Sequence, residues 1–353
     1  MTKLDKGSVG RRAFLKTGML ASGAVLGGAL SGGKRTFAQA NSLTKGDIAI
    51  LRFLAAAEAL ETDLWQQYAE LGGVTEGTPN SYQAALMNLD GDGLQYITSN
   101  TIDELSHAVF LNGYLESQGA EPVNLDQFRT LQGSKATGAQ DIGRLTNLMM
   151  LNVDTSWYTR YRSTTNPDFG ATFPQAVKIT KRTAIPRTDA DFEGAHHIQV
   201  IANTAAFHFG TIEQGGSSLY ATLSRKVTSE EVLEITLGIG ADEVAHFLEW
   251  VDFAGNGVQP PVAPVSDQGL TFPNFLTKGP LFQPNLIFPV PCEFISPHLP
   301  HCAIIRPLTN KFGGARAAAK FLTDMNLFAG QPKEFFTILQ TMADEADAAT
   351  RES

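Results

Sequence analysis

Two short stretches decide the fold of this chain: Asp103-Glu104-Leu105-Ser106-His107 and Asp242-Glu243-Val244-Ala245-His246. Each places a glutamate and a histidine three residues apart, a spacing that puts both side chains on one face of an α-helix. The helical pattern before each stretch carries one glutamate at a core-facing position, Glu58 before the first stretch and Glu213 before the second. Two Glu-x-x-His helices and two single-glutamate helices form the ligand set of di-iron and di-manganese bundles. The sequence therefore predicts two metal ions held by Glu58, Glu104, His107, Glu213, Glu243 and His246.

Helical register supports this spacing, because both ligand pairs fall on stripes that should be buried. The stripes consist of Ile97, Glu104, His107, Leu111 and Tyr114 in one helix and Ile239, Glu243, His246 and Trp250 in the other. A third Glu-x-x-His pair, Glu193 and His196, lies 20 residues before Glu213. That separation is about 30 Å along a continuous helix, so we expect this pair to lie outside the centre.

Four neighbouring side chains have more than one interpretation each. Glu61, on the edge of its stripe, could replace Glu58 as a ligand, bridge or hydrogen-bond at the site, or be solvated. Asp103 and Asp242 each lie four residues before a histidine and could hold its imidazole tautomer, or be surface aspartates. Tyr220 follows Glu213 by seven residues and is a candidate neighbour of the metals, although core packing is the commoner role for such an aromatic residue.

Composition limits the class of protein. The chain has 353 residues, of which 43% are apolar and 18% charged, and its formal net charge is −9. This length allows one large domain with extensions, or two domains. The sequence has no basic stripe, so it argues against nucleic-acid binding.

The first 40 residues have the features of an export signal. Gly10-Arg11-Arg12-Ala13-Phe14-Leu15-Lys16 is similar to a twin-arginine motif, and a Gly/Ala-rich apolar stretch follows it. Ala38-Gln39-Ala40 is a small-x-small cleavage site, so we expect a mature chain that starts at Asn41. The twin-arginine translocase would then be a partner during export, and the protein would be periplasmic or secreted. An uncleaved membrane anchor is the alternative, although the apolar stretch is short for a spanning helix.

The bundle is predicted to occupy residues 41–256, with a long crossover between its two helix pairs. Asp47 is expected to cap the first helix, and Thr228-Ser-Glu-Glu231 to form a capping box before the fourth. The predicted helices cover residues 48–71, 94–117, 191–223 and 229–253, with one further helix at 142–160 inside an otherwise irregular crossover.

Residues 257–353 have a different character. Eleven of the 17 prolines lie between Gln259 and Pro307, mixed with Phe, Leu and Ile, which predicts an ordered, extended wrap. Two helices are expected after it, at 315–328 and 332–349. Cys292 and Cys302 are the only cysteines, and in an oxidising compartment we expect a disulfide between them. A Cys/His metal site with His298 and His301 is the less favoured alternative, because the spacing matches no common zinc pattern.

Four motifs in this order resemble the ferritin-like domain of desiccation-related and fungal stress-response proteins. They are Glu58-Ala-Leu-Glu61, Glu104-x-x-His107 followed by Asn112-Gly-Tyr-Leu115, Glu213-Gln-Gly-Gly with Tyr220, and Glu243-x-x-His246. The resemblance covers residues 45–256. It implies an all-α chain, a ferritin-like four-helix bundle and a metal centre at the residues that match the motifs.

Three functions remain open at this level. The first is a di-iron or di-manganese oxidoreductase that acts on O2 or peroxide, catalase-like or as a ferroxidase. The second is a non-catalytic desiccation or stress protein whose metal site is structural or vestigial. The third and least favoured is an iron-storage cage, because the chain carries large extensions. The sequence does not choose between iron and manganese, or between a monomer and a homo-oligomer.

Overall fold

The computed structural model describes residues 43–160, 174–254, 264–278, 296, 298–300 and 314–352, and it is mostly helical. The predicted export signal and both cysteines, Cys292 and Cys302, lie outside the described residues. In chain order the helices are α1 (Lys45–Gly72), α2 (Ser81–Met87), α3 (Gly93–Ser117), α4 (Trp157–Arg160), α5 (Ala195–Ser224), α6 (Glu230–Phe253), α7 (Ala315–Asp324) and α8 (Lys333–Ala348).

Side-chain caps fix where several helices begin. Thr44, not Asp47 as predicted, is the N-cap of α1, and its hydroxyl accepts a hydrogen bond from the Asp47 amide at 3.0 Å. The Asp47 carboxylate is buried and accepts from the Thr228 amide at 2.8 Å, so it joins the starts of α1 and α6. Ser229 alone caps α6 through the Val232 amide; the predicted capping box was wrong because the residue at the third helical position is Val232 and has no carboxylate.

The four long helices form two antiparallel pairs, α1 with α3 and α5 with α6. Hydrogen bonds between helices fix how the pairs meet. The Trp250 indole of α6 donates to the Asn100 side chain of α3 at 2.7 Å. The Tyr68 hydroxyl of α1 lies 2.7 Å from His208 Nδ1 of α5. Because these polar groups are buried, each hydrogen bond offsets the cost of taking its donor and acceptor out of water, and it favours one register between the two helices.

A cluster of aromatic rings fills the space between the two pairs, on one side of the predicted ligands. Trp65 of α1 stacks on Phe209 and Trp250, with ring centroids 4.9 and 5.3 Å apart, and Phe209 lies 4.5 Å from Trp250. All three side chains are fully buried. Such aromatic contacts are directional, so the cluster sets the helix rotation that aims the neighbouring carboxylates inward.

The described part of the crossover between α3 and α5 consists of loops, short 3₁₀ turns, the four-residue helix α4 and two small antiparallel sheets. Strand β1 (Leu131–Gln132) pairs with β2 (Gly143–Arg144), and β3 (Leu151–Val153) pairs with β4 (Ile179–Arg182). A third pair, β5 (Val265–Asp267) and β6 (Leu270–Phe272), forms a hairpin after α6. The predicted helix at 142–160 was wrong: only its last four residues, α4, are helical.

One buried carboxylate explains why that segment is not helical. Asp63 of α1 accepts hydrogen bonds from the amides of Leu145 and Thr146 at 3.0 and 2.9 Å and from the Thr146 hydroxyl at 2.7 Å. Arg129 adds an ion pair at 2.7 Å. These contacts use backbone donors that a helix would need, so a tertiary interaction overrides the apolar pattern of the segment.

The two C-terminal helices pack on the long ones. Helix α8 lies against α1, and α7 lies between α8 and α5. The Asp347 carboxylate of α8 accepts hydrogen bonds from the amides of Ala315 and Arg316 at 2.9 Å each. A side chain of α8 therefore caps the first turn of α7. Helix α7 is shorter than predicted because Asn326 adopts a left-handed conformation (φ 64°) just after it. Among the described helices, none combines the length and apolar character that a membrane crossing requires.

Candidate metal centre

The six predicted ligands meet in the interior, one set from each long helix. Glu58 comes from α1, Glu104 and His107 from α3, Glu213 from α5, and Glu243 and His246 from α6. Their exposed fractions range from 0 to 8%. Four helices therefore present oxygen and nitrogen donors to one buried volume.

The donor atoms form two overlapping groups. One group consists of Glu58, Glu104, His107 and Glu243, and the other of Glu104, Glu213 and His246; in each, one donor atom per residue lies within 4.8 Å of the others. Glu104 belongs to both groups. A carboxylate shared in this way is suited to bridge two ions that the remaining residues hold from either side.

Both histidines turn the same ring nitrogen towards the carboxylates. His107 Nδ1 lies 3.3 Å from Glu104 and 3.5 Å from Glu58. His246 Nδ1 lies 3.1 Å from Glu104 and 3.3 Å from Glu213. The Nδ1 atoms are therefore the ones placed to bind a cation, while the Nε2 atoms point away from the cluster.

Asp103 and Asp242 contact those outer nitrogens, but mainly across the helix pair. Asp242 of α6 lies 3.2 Å from His107 Nε2 on α3, and Asp103 of α3 lies 3.4 Å from His246 Nε2 on α6. The expected contact within one helix is present only for Asp242, at 3.7 Å from His246 Nε2. Each aspartate thus orients a histidine of the opposite helix, and the crossed contacts tie α3 to α6 beside the site.

Glu61 and Tyr220 also reach the cluster. The Tyr220 hydroxyl donates to Glu58 Oε1, and the Tyr220 ring is buried. Glu61 is buried one turn after Glu58. Burial, reinforced by the negative charges of Glu104, Glu58 and Glu213, raises the pKa of Glu61 well above its usual value. A fifth carboxylate therefore shares the electrostatic field of the four carboxylates among the six predicted ligands.

Without a cation the cluster is electrostatically strained. Burial raises the pKa of Glu58 to about 7, although the nearby His107 imidazole acts in the opposite sense. Burial and the neighbouring carboxylates raise the pKa of Glu243 well above its normal value. For His107 burial alone would lower the pKa, but the close carboxylates of Asp242, Glu104 and Glu58 raise it to about 12. Burial alone would also lower the pKa of His246, but the negative charge of Glu213 and then the close carboxylates of Asp103 and Glu104 raise it.

Two observations test whether these residues fit metal ions. First, several buried donor atoms have no hydrogen-bond partner: Glu58 Oε2, Glu104 Oε1, both oxygens of Glu213 and of Glu243, and His246 Nδ1. Buried unpaired oxygens are costly, and they converge here with aligned nitrogen donors. Second, a Cβ atom at Gly216 would lie 2.0 Å from Glu243 Oε2, so any larger residue there would displace that carboxylate from its present position. The residues present fit a pair of hard or intermediate divalent cations.

Sequence reasoning missed Gly216 and Asp63. Two adjacent glycines, Gly215 and Gly216, are unfavourable in the middle of a helix, and such glycines often mark a place where another group packs closely against the backbone. The sequence therefore contained a sign of the close contact at Gly216. Nothing in the sequence separates Asp63 from an exposed helix aspartate. Glu193 and His196, the third Glu-x-x-His pair, are exposed, as expected. Comparison with family models, curated proteins and solved structures finds no match.

Proposed function

We propose that residues 41–256 are a ferritin-like four-helix bundle that binds two iron or two manganese ions, and that the chain is an oxidoreductase acting on O2 or peroxide. The observation that carries the proposal is the pair of overlapping donor groups with Glu104 in both. Seven buried donor atoms in these groups have no hydrogen-bond partner, and six of them are carboxylate oxygens. Iron(II) and manganese(II) bind such oxygen ligands readily.

In this proposal each side chain has a separate task. His107 and His246 supply one nitrogen to each ion through Nδ1. Asp242 and Asp103 accept hydrogen bonds from the opposite ring nitrogens, which fixes the tautomer that leaves Nδ1 free. Tyr220 holds the Glu58 carboxylate. The metals, when bound, supply the change of oxidation state that reduces O2 or disproportionates peroxide.

Metal content is the direct test. The exported wild-type protein should carry about two equivalents of iron or manganese, and Glu104→Gln should carry far less, because the shared anionic ligand is lost. The expected loss of affinity exceeds the roughly 10–100-fold that removal of an outer hydrogen-bond partner costs. Glu116→Gln, on the exposed end of the same helix, is the matched control and should retain the wild-type metal content. Equal metal content in Glu104→Gln and wild type would refute the assignment.

A non-catalytic desiccation or stress protein is the second candidate, and one observation favours it. With a pKa raised to about 12, His107 is positively charged near neutral pH in the metal-free chain and partly compensates the buried carboxylates. The cluster could then be a structural ion network. Metal-replete wild type that consumes neither O2 nor peroxide would favour this candidate, whereas turnover that disappears with metal in Glu104→Gln would exclude it.

A further inference from the structure

A small cavity lies beside the cluster, on the face covered by the C-terminal helices. Its volume is about 20 Å³. Phe53, Ala57 and Leu60 of α1 and Ile212 and Leu219 of α5 form its inner wall. Its outer wall is formed by Ala318, Ala319, Phe321 and Leu322 of α7 and Leu339 of α8. A cavity of this size has room for one small molecule.

The cavity borders the candidate metal centre directly. Glu61 and Gly216 belong to its wall. Glu61 shares the field of Glu58, Glu104 and Glu213, and Gly216 lies against the Glu243 carboxylate. Two residues at the edge of the cluster therefore also form the inner end of the cavity.

The apolar character of the cavity wall indicates which kind of small molecule can bind there. Apart from Glu61, every described lining residue is an apolar side chain or a glycine. A water or peroxide molecule needs two to four polar partners to be stable in such a space, so an apolar wall disfavours both. A small apolar molecule loses no hydrogen bonds on entering.

The other side of the cluster has a different character. A shallow surface depression there is lined by His107, Asp242, Gly238, Ile239 and Ala241. Asp103 and Asp242 keep 40 and 45% of their side chains exposed at this side. The α3–α6 face is therefore the polar, solvent-facing side of the cluster, and the apolar cavity lies on the opposite, α1–α5 face.

We propose that the cavity under α7 and α8 is a binding site for dioxygen, and that dioxygen rather than peroxide is the oxidant that reaches the metal centre from this side. The inference rests on the proposed function for its metal centre. It assigns the C-terminal helices a role as the outer wall of a substrate pocket, held in place by the Asp347 cap on α7.

Krypton provides a test that needs neither metal nor turnover, because it is an apolar atom with a strong X-ray signal. Crystals of the full exported chain under krypton pressure should show the atom between α1, α5 and α7. Ala318→Val and Ala319→Val add two carbon atoms each to the cavity wall and should remove that peak. Ala317→Val, a half-buried position on the same helix that does not line the cavity, is the matched control and should leave the peak unchanged.

Oxidation of bound iron provides the second readout. After iron(II) loading, the two cavity-filling variants should bind as much iron as wild type but oxidise it with O2 about tenfold more slowly, a barrier increase of about 1.4 kcal/mol. Their rate with hydrogen peroxide should match that of Ala317→Val. If the valine variants do not fold, Leu339→Ala widens the cavity instead and should raise krypton occupancy without slowing oxidation.

Several outcomes of these experiments would overturn the dioxygen proposal. Absence of krypton in wild type, or an unchanged O2 rate in a variant that has lost krypton, would overturn the proposal. Slowing of the O2 and peroxide reactions to the same degree would also overturn it, since the cavity would then not discriminate. A wild type that binds krypton and iron but never oxidises the iron would remove the dioxygen assignment together with the proposed function.

Discussion

Glu58 provides a quantitative test of the electrostatics of the centre. In the metal-free chain its Oε2 atom has no hydrogen-bond partner, and its Oε1 atom accepts from Tyr220. Burial raises its pKa from 4.5 to about 7, and this value already includes the opposing effect of His107. The ionised carboxylate is therefore unfavourable in the folded, metal-free protein.

The size and sign of the effect follow from proton linkage. A pKa displaced from 4.5 to about 7 corresponds to about 3 kcal/mol. Between these values the folded state binds more protons than the unfolded state, so stability falls as pH rises. The contribution is fully present below pH 4.5 and is lost as pH rises through about 7. Glu58→Gln keeps the shape and removes the charge, so the metal-free variant should exceed wild type by up to about 3 kcal/mol at pH 8 and equal it below pH 4.5.

Urea unfolding of chelator-treated protein between pH 4 and 9 measures this difference, with exposed Glu116→Gln as the control. Addition of iron(II) or manganese(II) should reverse the order, because metal stabilises the wild type by mass action and Glu58→Gln binds it less tightly. A metal-free Glu58→Gln that is less stable than wild type at pH 8 would refute the reasoning, since Glu58 would then be ionised without cost.

Three further predictions concern other parts of the chain. Asp63→Ala should lower the free energy of unfolding, measured with urea, by about 1–3 kcal/mol for each of the two buried amide donors, Leu145 and Thr146, that it leaves unpaired. His208 is fully buried and its pKa is lowered to about 3, so stability should fall as pH falls from 6.5 towards 3; His208→Gln should flatten that slope in the same assay. Asp242→Asn should weaken metal binding by about 10–100-fold and, in imidazole NMR spectra, should shift the His107 signals more than those of the histidine on its own helix.

The sequence predicts the parts of this structure that depend on local periodicity. The bounds of α3 differ from the prediction by one residue, since an apolar stripe and the ligand spacing agree there. Helix α2 was missed, because its Asn80 and Gln83 capping box has no long apolar stripe beside it. The helical period of the apolar residues also predicts that the six side chains converge on one volume, because each of them lies at a core-facing position.

Long-range contacts were beyond such reasoning. The Asp242 carboxylate contacts the histidine of another helix at 3.2 Å and its own histidine at 3.7 Å, and only the packing of α3 on α6 determines this preference. The apolar segment around Leu151 satisfies a helical pattern, but its amides are taken by partners distant in sequence, such as Asp63 and strand β4. The cavity under α7 likewise depends on where the C-terminal helices dock, which no spacing within them encodes.

The balance of charge favours a metal centre over a purely structural ion network. If the four carboxylates of Glu58, Glu104, Glu213 and Glu243 are ionised, protonation of the two histidines supplies only half of the positive charge needed. The remaining negative charge would be buried, at a cost of several kcal/mol per ion. Protonation of carboxylates avoids that cost, and the raised pKa values of Glu58 and Glu243 point to this response in the metal-free chain. Two divalent cations with neutral histidines balance these four carboxylates and also give partners to the oxygens that have none, while the raised pKa of the fifth carboxyl, Glu61, favours its neutral form. A site built only for stability would reach neutrality more simply with fewer carboxylates, so the surplus of buried acids is better explained by cations that the chain is built to bind.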